Sequence, residues 1–488
     1  YEIRGTGLVI SCFKPLMLLD KIYEAHVAQA SNMINPLTLV KIGGATGDYK
    51  PLPADLEMWR EVFACHDEET EVLTNEGFKK YNEVIDYTEE IKDGKFVITN
   101  VKPKENIKIA CFNKENEQLE YYSPSAAHLY NYSGEMYHFF NKKIDLKVTP
   151  NHKLFVSKRE YQYNGHRSLR KEYWGEWQTI EAQNYDMKKY HRFRSKINWS
   201  GENKDFVQIG DKNIPIKLYL EFLGYFLSEG WLTTNNKSQY ITGICQKKYK
   251  EKFQKCIKEF SNYLQKSYSE STDKKSGVWR GLFCSKYIFE YFKNLIQDNN
   301  NKYKAENKIM PSWVKSLNKN LLQIFLDALV LGDGSTKKIN KSDVIQYSYY
   351  STSKQLADDV YEIVYKCGYV PTLFIKNDKR PNRLPIYTVS WSENETGIGR
   401  TTRGDFPWIY KTARNPIKKT SHSVFEKEQY SGKVWCFTTP TGLFITRRNG
   451  KITIQGNSAQ NNPDFKIFTH EAVTVERVGY NSGILDTS

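Results

Sequence analysis

Short runs rich in β-branched and aromatic residues fill the chain from position 65 to about 200, separated by glycine, asparagine and aspartate. The clearest of these runs are 71–74, 107–110 and 136–140. Residues 420–457 return to the same style, with runs at 434–437 and 451–454. Such runs, bounded by turn residues, are typical of β-strands. The pattern predicts an all-β domain whose two parts are separated along the chain.

Residues 215–405 follow a different pattern, in which helical and strand-like segments alternate. Two of the helical segments, 222–230 and 326–334, repeat one design: apolar residues with an early small residue, then an acid and a glycine. The small residues, Gly224 and Ala328, would allow two helix backbones to approach closely. The middle of the chain is therefore predicted to be an α/β domain inserted into the β domain.

The two ends of the chain fit together better than they fit their neighbours. Residues 53–63 carry apolar side chains on one helical face, and 458–460 would continue that helix if 65–457 were removed. We therefore predict five segments: host protein at 1–64 and 458–488, β domain at 65–200 and 416–457, and inserted domain at 201–415.

Positive charge is concentrated in the block between the two ends. The chain carries a net charge of +15, while residues 1–64 and 458–488 carry −1 and −2, so residues 65–457 hold +18. Such an excess indicates a polyanionic partner such as DNA. A general lysine-rich composition would explain it equally well.

Cysteine usage and hydropathy limit the cellular setting. The eight cysteines are scattered without Cys-x-x-Cys pairs, which favours a reducing compartment, and we expect a cytoplasmic protein. The longest apolar runs fall well short of the ~20 residues of a membrane span, so no membrane partner is expected. The sequence begins at Tyr1, so we expect that its natural start is missing.

The segment 65–77 reads CHDEETEVLTNEG, a cysteine followed by a β-like run and a glycine turn. It resembles the first block of an intein, a protein element that splices itself out of its host. The resemblance implies that the Cys65 thiol attacks the Ala64 carbonyl and converts the peptide bond into a thioester. A lone cysteine is otherwise more often an inert core residue.

Thr149 and His152 form a Thr-x-x-His pattern between the strand-like residues 146–148 and 154–156. The pattern resembles the second conserved intein block. Imidazole titrates near neutrality, so His152 would protonate the departing amide nitrogen, and Thr149 would supply or organise donors for the oxyanion. The Thr-x-x-His spacing alone is weak evidence for this block. Its position between two strand-like segments strengthens the resemblance.

The tripeptide Gly456-Asn457-Ser458 resembles the downstream end of an intein. By that resemblance, Ser458 takes the acyl chain from Cys65, and the Asn457 side chain cyclises onto its own carbonyl. A shift of the acyl group from oxygen to nitrogen then joins Ala64 to Ser458. Inteins commonly have histidine before the terminal asparagine and another in the preceding block, and this chain has neither.

Cys436 lies in the segment 434–444, VWCFTTPTGLF, where the family often has aspartate. A thiol there would serve as a proton relay or as a transient acyl carrier in the downstream steps. A buried structural cysteine is an equal alternative. We expect its sulfur near Cys65 or Asn457, and not packed among apolar side chains.

The repeated segments 222–230 and 326–334 resemble the two motifs of a LAGLIDADG (DOD-type) homing endonuclease. The resemblance sets Glu229 and Asp333 side by side at the helix ends, where they would hold Mg²⁺ and activate water for cleavage of the two DNA strands. Amphipathic core helices with acidic ends are the plain alternative. Splicing itself needs no cofactor.

Basic residues near these motifs are candidates for contact with DNA. Lys308, in the segment 307–311, resembles the catalytic-site lysine and would stabilise phosphate charge or polarise water. Lys379 and Arg380, and the aromatic and basic stretch 158–196, would hold the DNA backbone. For Lys308, a solvated surface lysine is the alternative. For Lys379 with Arg380 and for the stretch 158–196, a solvated basic face is an equal alternative.

Together these resemblances imply a multi-domain chain, with an all-β, horseshoe-like Hint splicing domain and an inserted α+β LAGLIDADG endonuclease of two pseudo-symmetric halves. The implied partner is double-stranded DNA at the host-gene site that lacks the intein, and the intein is expected to be a monomer. Two alternatives stay open. The nuclease has decayed to a DNA-binding module, or the primary role is that of the host, whose joined ends vaguely resemble a structural or portal-like protein of a tailed phage.

Overall fold

The computed structural model describes residues 64–456, apart from 93–94, 164–169, 187–189, 235–238, 297–302, 339–343, 378–379, 382, 393–407 and 410–423. Contacts between residues divide the chain into two units, Ala64–Ser458 and the ends Tyr1–Phe63 with Ala459–Ser488. The first unit contains every described residue. The predicted host segments therefore lie outside the described residues, except for Ala64.

The described residues of the first β region form twelve strands, one short α-helix and one turn of 3-10 helix at Ala182–Asn184. Most of the strands are bounded by tight turns, and residues with left-handed backbone such as Asn106 and Gly77 make several of these turns. The elements are β1 (His66–Asp67), β2 (Glu71–Thr74), β3 (Gly77–Lys80), α1 (Tyr81–Val84), β4 (Ile85–Lys92), β5 (Lys95–Pro103), β6 (Ile109–Phe112), β7 (Leu119–Tyr122), β8 (Ala126–Phe140), β9 (Asp145–Val148), β10 (Lys153–Tyr163), β11 (Arg170–Glu181) and β12 (His191–Phe193).

Three strands near the end of the described chain complete this β region. They are β24 (Val424–Thr438), β25 (Leu443–Arg448) and β26 (Lys451–Gly456). Strand β24 pairs with β8 and β1, and β9 closes a four-stranded barrel with them. Strand β25 pairs with β2, β6 and β26, and β26 also pairs with β10. The two β-rich stretches thus share their sheets, as their common pattern predicted.

The middle of the chain folds as two similar α/β halves. A hairpin of β13 (Phe206–Ile209) and β14 (Lys212–Pro215) leads into them. The first half contains α2 (Ile216–Glu229), β15 (Gly230–Thr234), β16 (Tyr240–Gln246), α3 (Lys250–Leu264), β17 (Ser269–Thr272), β18 (Trp279–Cys284) and α4 (Lys286–Lys293). The second contains α5 (Lys319–Asp333), β19 (Gly334–Lys338), β20 (Ile345–Ser351), α6 (Lys354–Lys366), β21 (Thr372–Lys376) and β22 (Ile386–Ser392). Strand β23 (Trp408–Ile409) pairs with β12.

The same strand order occurs in both halves. The first sheet runs β15-β16-β18-β17 and the second runs β19-β20-β22-β21. Each half begins with a helix that enters its first strand directly, at Gly230 and Gly334. This repeated order gives the middle region the two pseudo-symmetric halves predicted from its two motifs.

Helices α2 and α5 pack against each other through small residues. A Cβ atom at Gly224 would lie 2.5 Å from the Cβ of Ala328, and one at Gly332 would lie 2.3 Å from the Cβ of Ser228. A contact of that length is impossible for real carbon atoms, so these glycines permit the close approach. Because α2 and α5 carry the two motifs, this packing brings the ends of the motifs together.

Helix α6 of the middle region packs against the β region, where Phe78 of β3 contacts Tyr361. Eleven of its residues are buried, including Asp358, Glu362 and Lys366. The Arg447 guanidinium of β25 pairs with the Asp358 carboxylate at 2.7 Å and with Glu71 of β2 at 2.6 Å. Buried charges need such partners. The ion pairs tie the second half of the middle region to the β region.

A sheet also crosses this junction. The backbone N–H of Leu373 in β21 donates to the Gly450 carbonyl at 2.9 Å, beside the pairing of Thr372 with Lys451 in β26. The sequence predicted an α/β domain inserted into a β domain, and in the structure one sheet continues from one region into the other. Among the described residues, every helix is too short or too polar to cross a membrane.

Candidate active sites

Cys65 directly precedes β1 and is buried inside the β region. Its backbone N–H donates to the Thr149 Oγ1 at 2.9 Å, and the Thr149 backbone N–H donates to the Cys65 carbonyl at 3.1 Å. Burial raises the pKa of the Cys65 thiol well above its usual value, and the nearby Cys436 adds to the rise. The structure thus places Cys65 and Thr149 together and keeps the thiol protonated.

His152 lies in the turn between β9 and β10, fully buried. Burial lowers the pKa of His152 to about 3, while contacts with the Gln455 side chain and the Ala64 backbone oppose that fall. Neither contact has normal hydrogen-bond geometry, since both ring nitrogens lack a partner among the described residues. His152 is therefore a neutral imidazole beside the Ala64–Cys65 peptide bond.

Cys436 occupies the strand position opposite Cys65. In the β1–β24 ladder His66 pairs with Trp435 and Asp67 with Val434, so the next step of the register sets Cys65 across from Cys436. The Cys436 Sγ lies 3.5 Å from the Phe437 carbonyl oxygen, and the residue is fully buried. The sulfur is near Cys65, as expected, although its strand neighbours are the aromatic residues Trp435 and Phe437.

The described chain ends at Gly456, so the predicted roles of Asn457 and Ser458 fall outside the described residues. Gly456 itself explains one departure from the intein pattern. A Cβ there would lie 2.6 Å from the Cβ of Lys153 and 2.7 Å from its carbonyl oxygen. Any side chain at this position would collide with the backbone that follows His152, so the usual histidine has no room here.

The second site lies at the paired ends of α2 and α5. Glu229 and Asp333 are the last residues of these helices. Burial raises the pKa of Asp333 to about 7, with Glu229 adding to the rise and Lys308 opposing it. Burial also raises the pKa of Glu229, again against the effect of Lys308. The two carboxyl groups are therefore neighbours around one ammonium group.

Lys308 is buried between these acids. Its Nζ donates to the Ser228 carbonyl at 2.8 Å, which fixes it at the end of α2. Burial lowers the pKa of Lys308, and the carboxylates of Asp333 and Glu229 oppose this effect. A solvated surface lysine was the alternative at this position, and the burial of Lys308 excludes that alternative.

Two further side chains at this site escaped the sequence analysis. The Gln246 Nε2 donates to the Glu229 Oε1 at 3.2 Å, and the Cys245 Sγ lies 4.0 Å from the Glu229 Oε2. Both residues end strand β16, which runs beside the end of α2. No motif marks these positions in the sequence, because pairing of β15 with β16 brings them there.

The acids offer a partial ligand set for a divalent cation. Among the described residues, no group of three or more histidine, cysteine or acidic side chains is arranged to hold a metal ion. Mg²⁺ is commonly held by one or two carboxylates, with water and substrate phosphates completing its coordination. Glu229 and Asp333 fit that mode. Beside Glu229 opens a concavity of about 520 Å³, lined by Ser228, Glu229, Gly230, Trp231, Cys245 and Arg280.

The basic residues predicted to contact DNA lie partly outside the described residues and partly in internal contacts. Lys379 lies outside the described residues, and β21 ends in the exposed residues Phe374, Ile375 and Lys376. In the 158–196 stretch, the Arg192 guanidinium lies 4.8 Å from the Trp174 ring centre and 5.0 Å from that of Trp177. That part of the stretch is thus engaged in internal cation–π contacts.

Comparison with known families identifies part of the middle region. The family model of the LAGLIDADG-like domain matches residues 320–396, from α5 to just beyond β22. The chain is also similar to a crystal structure of the homing endonuclease I-DmoI in complex with DNA and Mn. That similarity has 15% identity and a TM-score of 0.27, covering 36% of this chain and 89% of that chain. On the strength of the family model, this chain contains a LAGLIDADG-type domain.

Relatives among curated proteins carry unrelated names. The chain is 23% identical over 507 residues to the DNA-directed RNA polymerase subunit beta C-terminal section of Stigeoclonium helveticum, covering 91% of this chain and 42% of that protein. It is 23% identical over 288 residues to the ATP-dependent Clp protease proteolytic subunit of Chlamydomonas moewusii, covering 54% of this chain and 26% of that protein. The chain thus spans less than half the length of both relatives.

Proposed function

We propose that this chain is a self-splicing precursor, in which residues 65–457 excise themselves, join Ala64 to Ser458 and carry a DNA-cleaving LAGLIDADG endonuclease. The observation that carries the splicing proposal is the convergence on the Ala64–Cys65 bond. Cys65 and the turn that carries Thr149 and His152 lie far apart in the sequence and meet there, and all three residues are buried. A purely structural core would favour apolar side chains at these positions.

The unrelated names of the relatives support an inserted element. An RNA polymerase section and a protease subunit share no activity, yet each resembles a large part of this chain. A segment that moves between host genes and removes itself from each product would produce that pattern. The host role of the chain ends, including the phage structural or portal-like alternative, remains a separate proposal.

The splicing chemistry follows from these groups and conserves every atom of the backbone. The Cys65 sulfur bonds to the Ala64 carbonyl carbon, the peptide C–N bond breaks, and the sulfur's proton is replaced by one delivered to the amine. The Ser458 hydroxyl then takes the acyl group and frees the Cys65 thiol. Asn457 closes on its own carbonyl and releases the Ser458 amine, which attacks the ester to form the new peptide bond.

Within the first step, the described residues divide the work. The hydrogen bond from the Cys65 N–H to the Thr149 Oγ1 holds the scissile amide in place. His152, neutral and next to the Ala64 backbone, is placed to transfer the proton to the amide nitrogen. Burial excludes water, which would otherwise hydrolyse the thioester.

For DNA cleavage, Glu229 and Asp333 would hold a divalent cation, with Mg²⁺ as our choice, and that ion would supply activation of water. Lys308 would stabilise the charge that develops on the phosphate from its buried position between the acids. Gln246 holds the Glu229 carboxylate in orientation. Double-stranded DNA at the uninterrupted host-gene site is the proposed substrate, and a monomer is the proposed form.

The splicing proposal is tested by expressing the full chain and measuring product masses. We expect ligated ends and a free 65–457 block. Asn457→Ala should stop ligation but still permit thiol-induced cleavage after Ala64, and the further change His152→Ala should suppress that cleavage. Ligated product from Cys65→Ala or Asn457→Ala would show that these residues are not the nucleophiles.

The nuclease proposal is tested separately, with a plasmid that bears the fused host-gene site. Double-strand cutting that requires Mg²⁺ supports an active enzyme. Salt-sensitive binding without cutting would favour the alternative, a domain that has kept its fold and lost its catalysis.

A further inference from the structure

His66 is a buried histidine to which the splicing chemistry above assigns no role. It is fully buried, and neither Nδ1 nor Nε2 has a hydrogen-bond partner among the described residues. Burying polar nitrogens without hydrogen-bond partners is unfavourable. A phenylalanine would fill the same space without that cost, so packing alone does not explain an imidazole here.

The position of His66 connects it to the proposed splicing site. The centres of the His66 and His152 rings lie 4.4 Å apart, at an interplanar angle of 62°. Trp435 and Phe444 lie against the other sides of the His66 ring, at 5.4 Å and 5.6 Å between ring centres. The backbone of His66 pairs with both β24 and β9 inside the barrel. The His66 ring is thus held by aromatic neighbours and a paired backbone, and the His152 ring packs against it.

We infer that His66 is a positioning residue for His152, which fixes the orientation of that ring and limits the two imidazoles to one shared proton. This inference rests on the proposed splicing function. In the first step one proton leaves the Cys65 sulfur and one arrives at the amide nitrogen. The pair of histidines accepts the proton from the Cys65 sulfur and gives one to the amide nitrogen. The number of protons on the pair is therefore the same after the step as before it.

The charges around the pair agree with a single proton. Burial lowers the pKa of His66 well below its usual value, and the neighbouring His152 lowers it further. Lys153 acts on His152 in the same direction. Another titratable group beside the pair is the Cys65 thiol, whose pKa burial raises well above its usual value, with the nearby Cys436 adding to the rise. A second positive charge on the pair would be strongly disfavoured.

The test uses the full chain with Asn457→Ala and Ser458→Ala, so that the acyl group stays on Cys65 and thiol-induced cleavage after Ala64 reports the first step alone. We expect His66→Phe, which keeps the aromatic packing, to slow this cleavage about tenfold, equivalent to about 1.4 kcal/mol in the barrier. The acid side of the pH–rate profile should move to higher pH, because the remaining imidazole no longer competes with a second one. His66→Gln, which keeps polar atoms but cannot carry a proton, should be similarly slow.

A matched control comes from another buried histidine of the β region. His191 packs against Tyr185 with 4.5 Å between ring centres. His191→Phe makes the same chemical change away from Cys65, and it should leave both the rate and the pH profile unchanged. Circular dichroism and the thermal midpoint check that each variant is folded.

A second measurement does not depend on cleavage. In a chain with Cys65→Ala and Asn457→Ala, NMR titration of the His152 ring should show a higher pKa after His66→Phe. If the parent chain fails to cleave, the splicing proposal fails, and this titration still decides the coupling of the two rings. An unchanged rate and pH profile in His66→Phe, or an unchanged His152 pKa, would overturn the inference and leave His66 as packing.

Discussion

The two candidate sites use burial in opposite ways. Around Cys65, burial favours the neutral forms of two groups: it raises the pKa of the Cys65 thiol and lowers the pKa of the His152 imidazole. Around Asp333, burial acts on carboxyl groups that a buried ammonium group, Lys308, partly compensates. The first site is a buried group of a thiol and two imidazoles, and the second is a pair of carboxyl groups beside one ammonium group.

The difference matches the chemistry that each site would perform. Thioester formation begins and ends with neutral groups, so a pocket without fixed charge suits it and excludes water. Phosphodiester cleavage concentrates negative charge, so carboxylates that attract a cation and a lysine that faces the phosphate suit that reaction. By this proposal the same physical effect, desolvation, would prepare one site for proton transfer and the other for a metal ion and phosphate.

The largest expected effect is a complete loss of DNA cleavage in variants whose splicing is unchanged. Asp333→Asn or Glu229→Gln should abolish double-strand DNA cleavage, because a carboxylate ligand is lost, while splicing continues at its normal rate. A plasmid-cutting assay and the mass of the spliced product measure both activities in one preparation. Loss of splicing in a folded variant would mean that the two sites are not independent.

Lys308→Met should reduce DNA cleavage by about 10²–10³-fold, the usual effect of removing one preorganised electrostatic group. Methionine keeps much of the side-chain volume, so the paired helices should stay packed. The matched control is Lys304→Met, since Lys304 is exposed and pairs with Glu306. Single-turnover cutting rates compare the two variants, and equal rates would remove Lys308 from the catalytic cluster.

Arg447→Met tests whether the β region and the second half of the middle region stabilise each other. It leaves the partly buried Glu71 without its partner and the buried Asp358 with the exposed Lys354 as its remaining partner, so the free energy of unfolding should fall by about 3–5 kcal/mol. Denaturant unfolding measures this, and adding Asp358→Asn should recover part of the loss. Lys427→Met breaks the exposed pair with Glu135 and should leave the unfolding midpoint unchanged.

Asp333 should make stability depend on pH near neutrality. Its pKa in the folded chain is raised to about 7, above that of an unfolded aspartate. Its contribution to stability is therefore complete below the unfolded pKa and is lost as the pH rises through 7. We expect the thermal midpoint with EDTA to fall from about pH 4 to about pH 7 and to level off at higher pH, and Mg²⁺ to restore it mainly above pH 7. Asp333→Asn should remove this dependence, and a flat profile in the parent would contradict it.

Cys436 should give the smallest effect. We expect Cys436→Ala to slow Ser458 acylation or Asn457 cyclisation by a few-fold and to leave the Cys65 thioester able to form. Time courses of Cys436→Ala and Cys436→Asp distinguish a proton relay from packing. Unchanged splicing in both variants would make Cys436 a structural residue and direct attention to His152 or an ordered water.

The sequence by itself determined the local elements and the chemical types. The β runs at 71–74 and 434–437 became strands, and the motif acids Glu229 and Asp333 stand at the ends of their helices. These features depend on side-chain periodicity and on glycines at helix ends, which are properties of neighbouring residues. The sequence also marked Cys65, His152 and Lys308 as chemically distinctive.

Only the tertiary structure decided which groups meet and how burial changes them. His66 beside His152, Gln246 beside Glu229 and Cys436 opposite Cys65 all depend on strand register. The close approach of Lys153 leaves no room for a side chain at position 456, where the intein pattern has histidine. Pairing of distant strands and the depth of the core set these contacts. They are long-range properties of the folded chain, and no local pattern of residues encodes them.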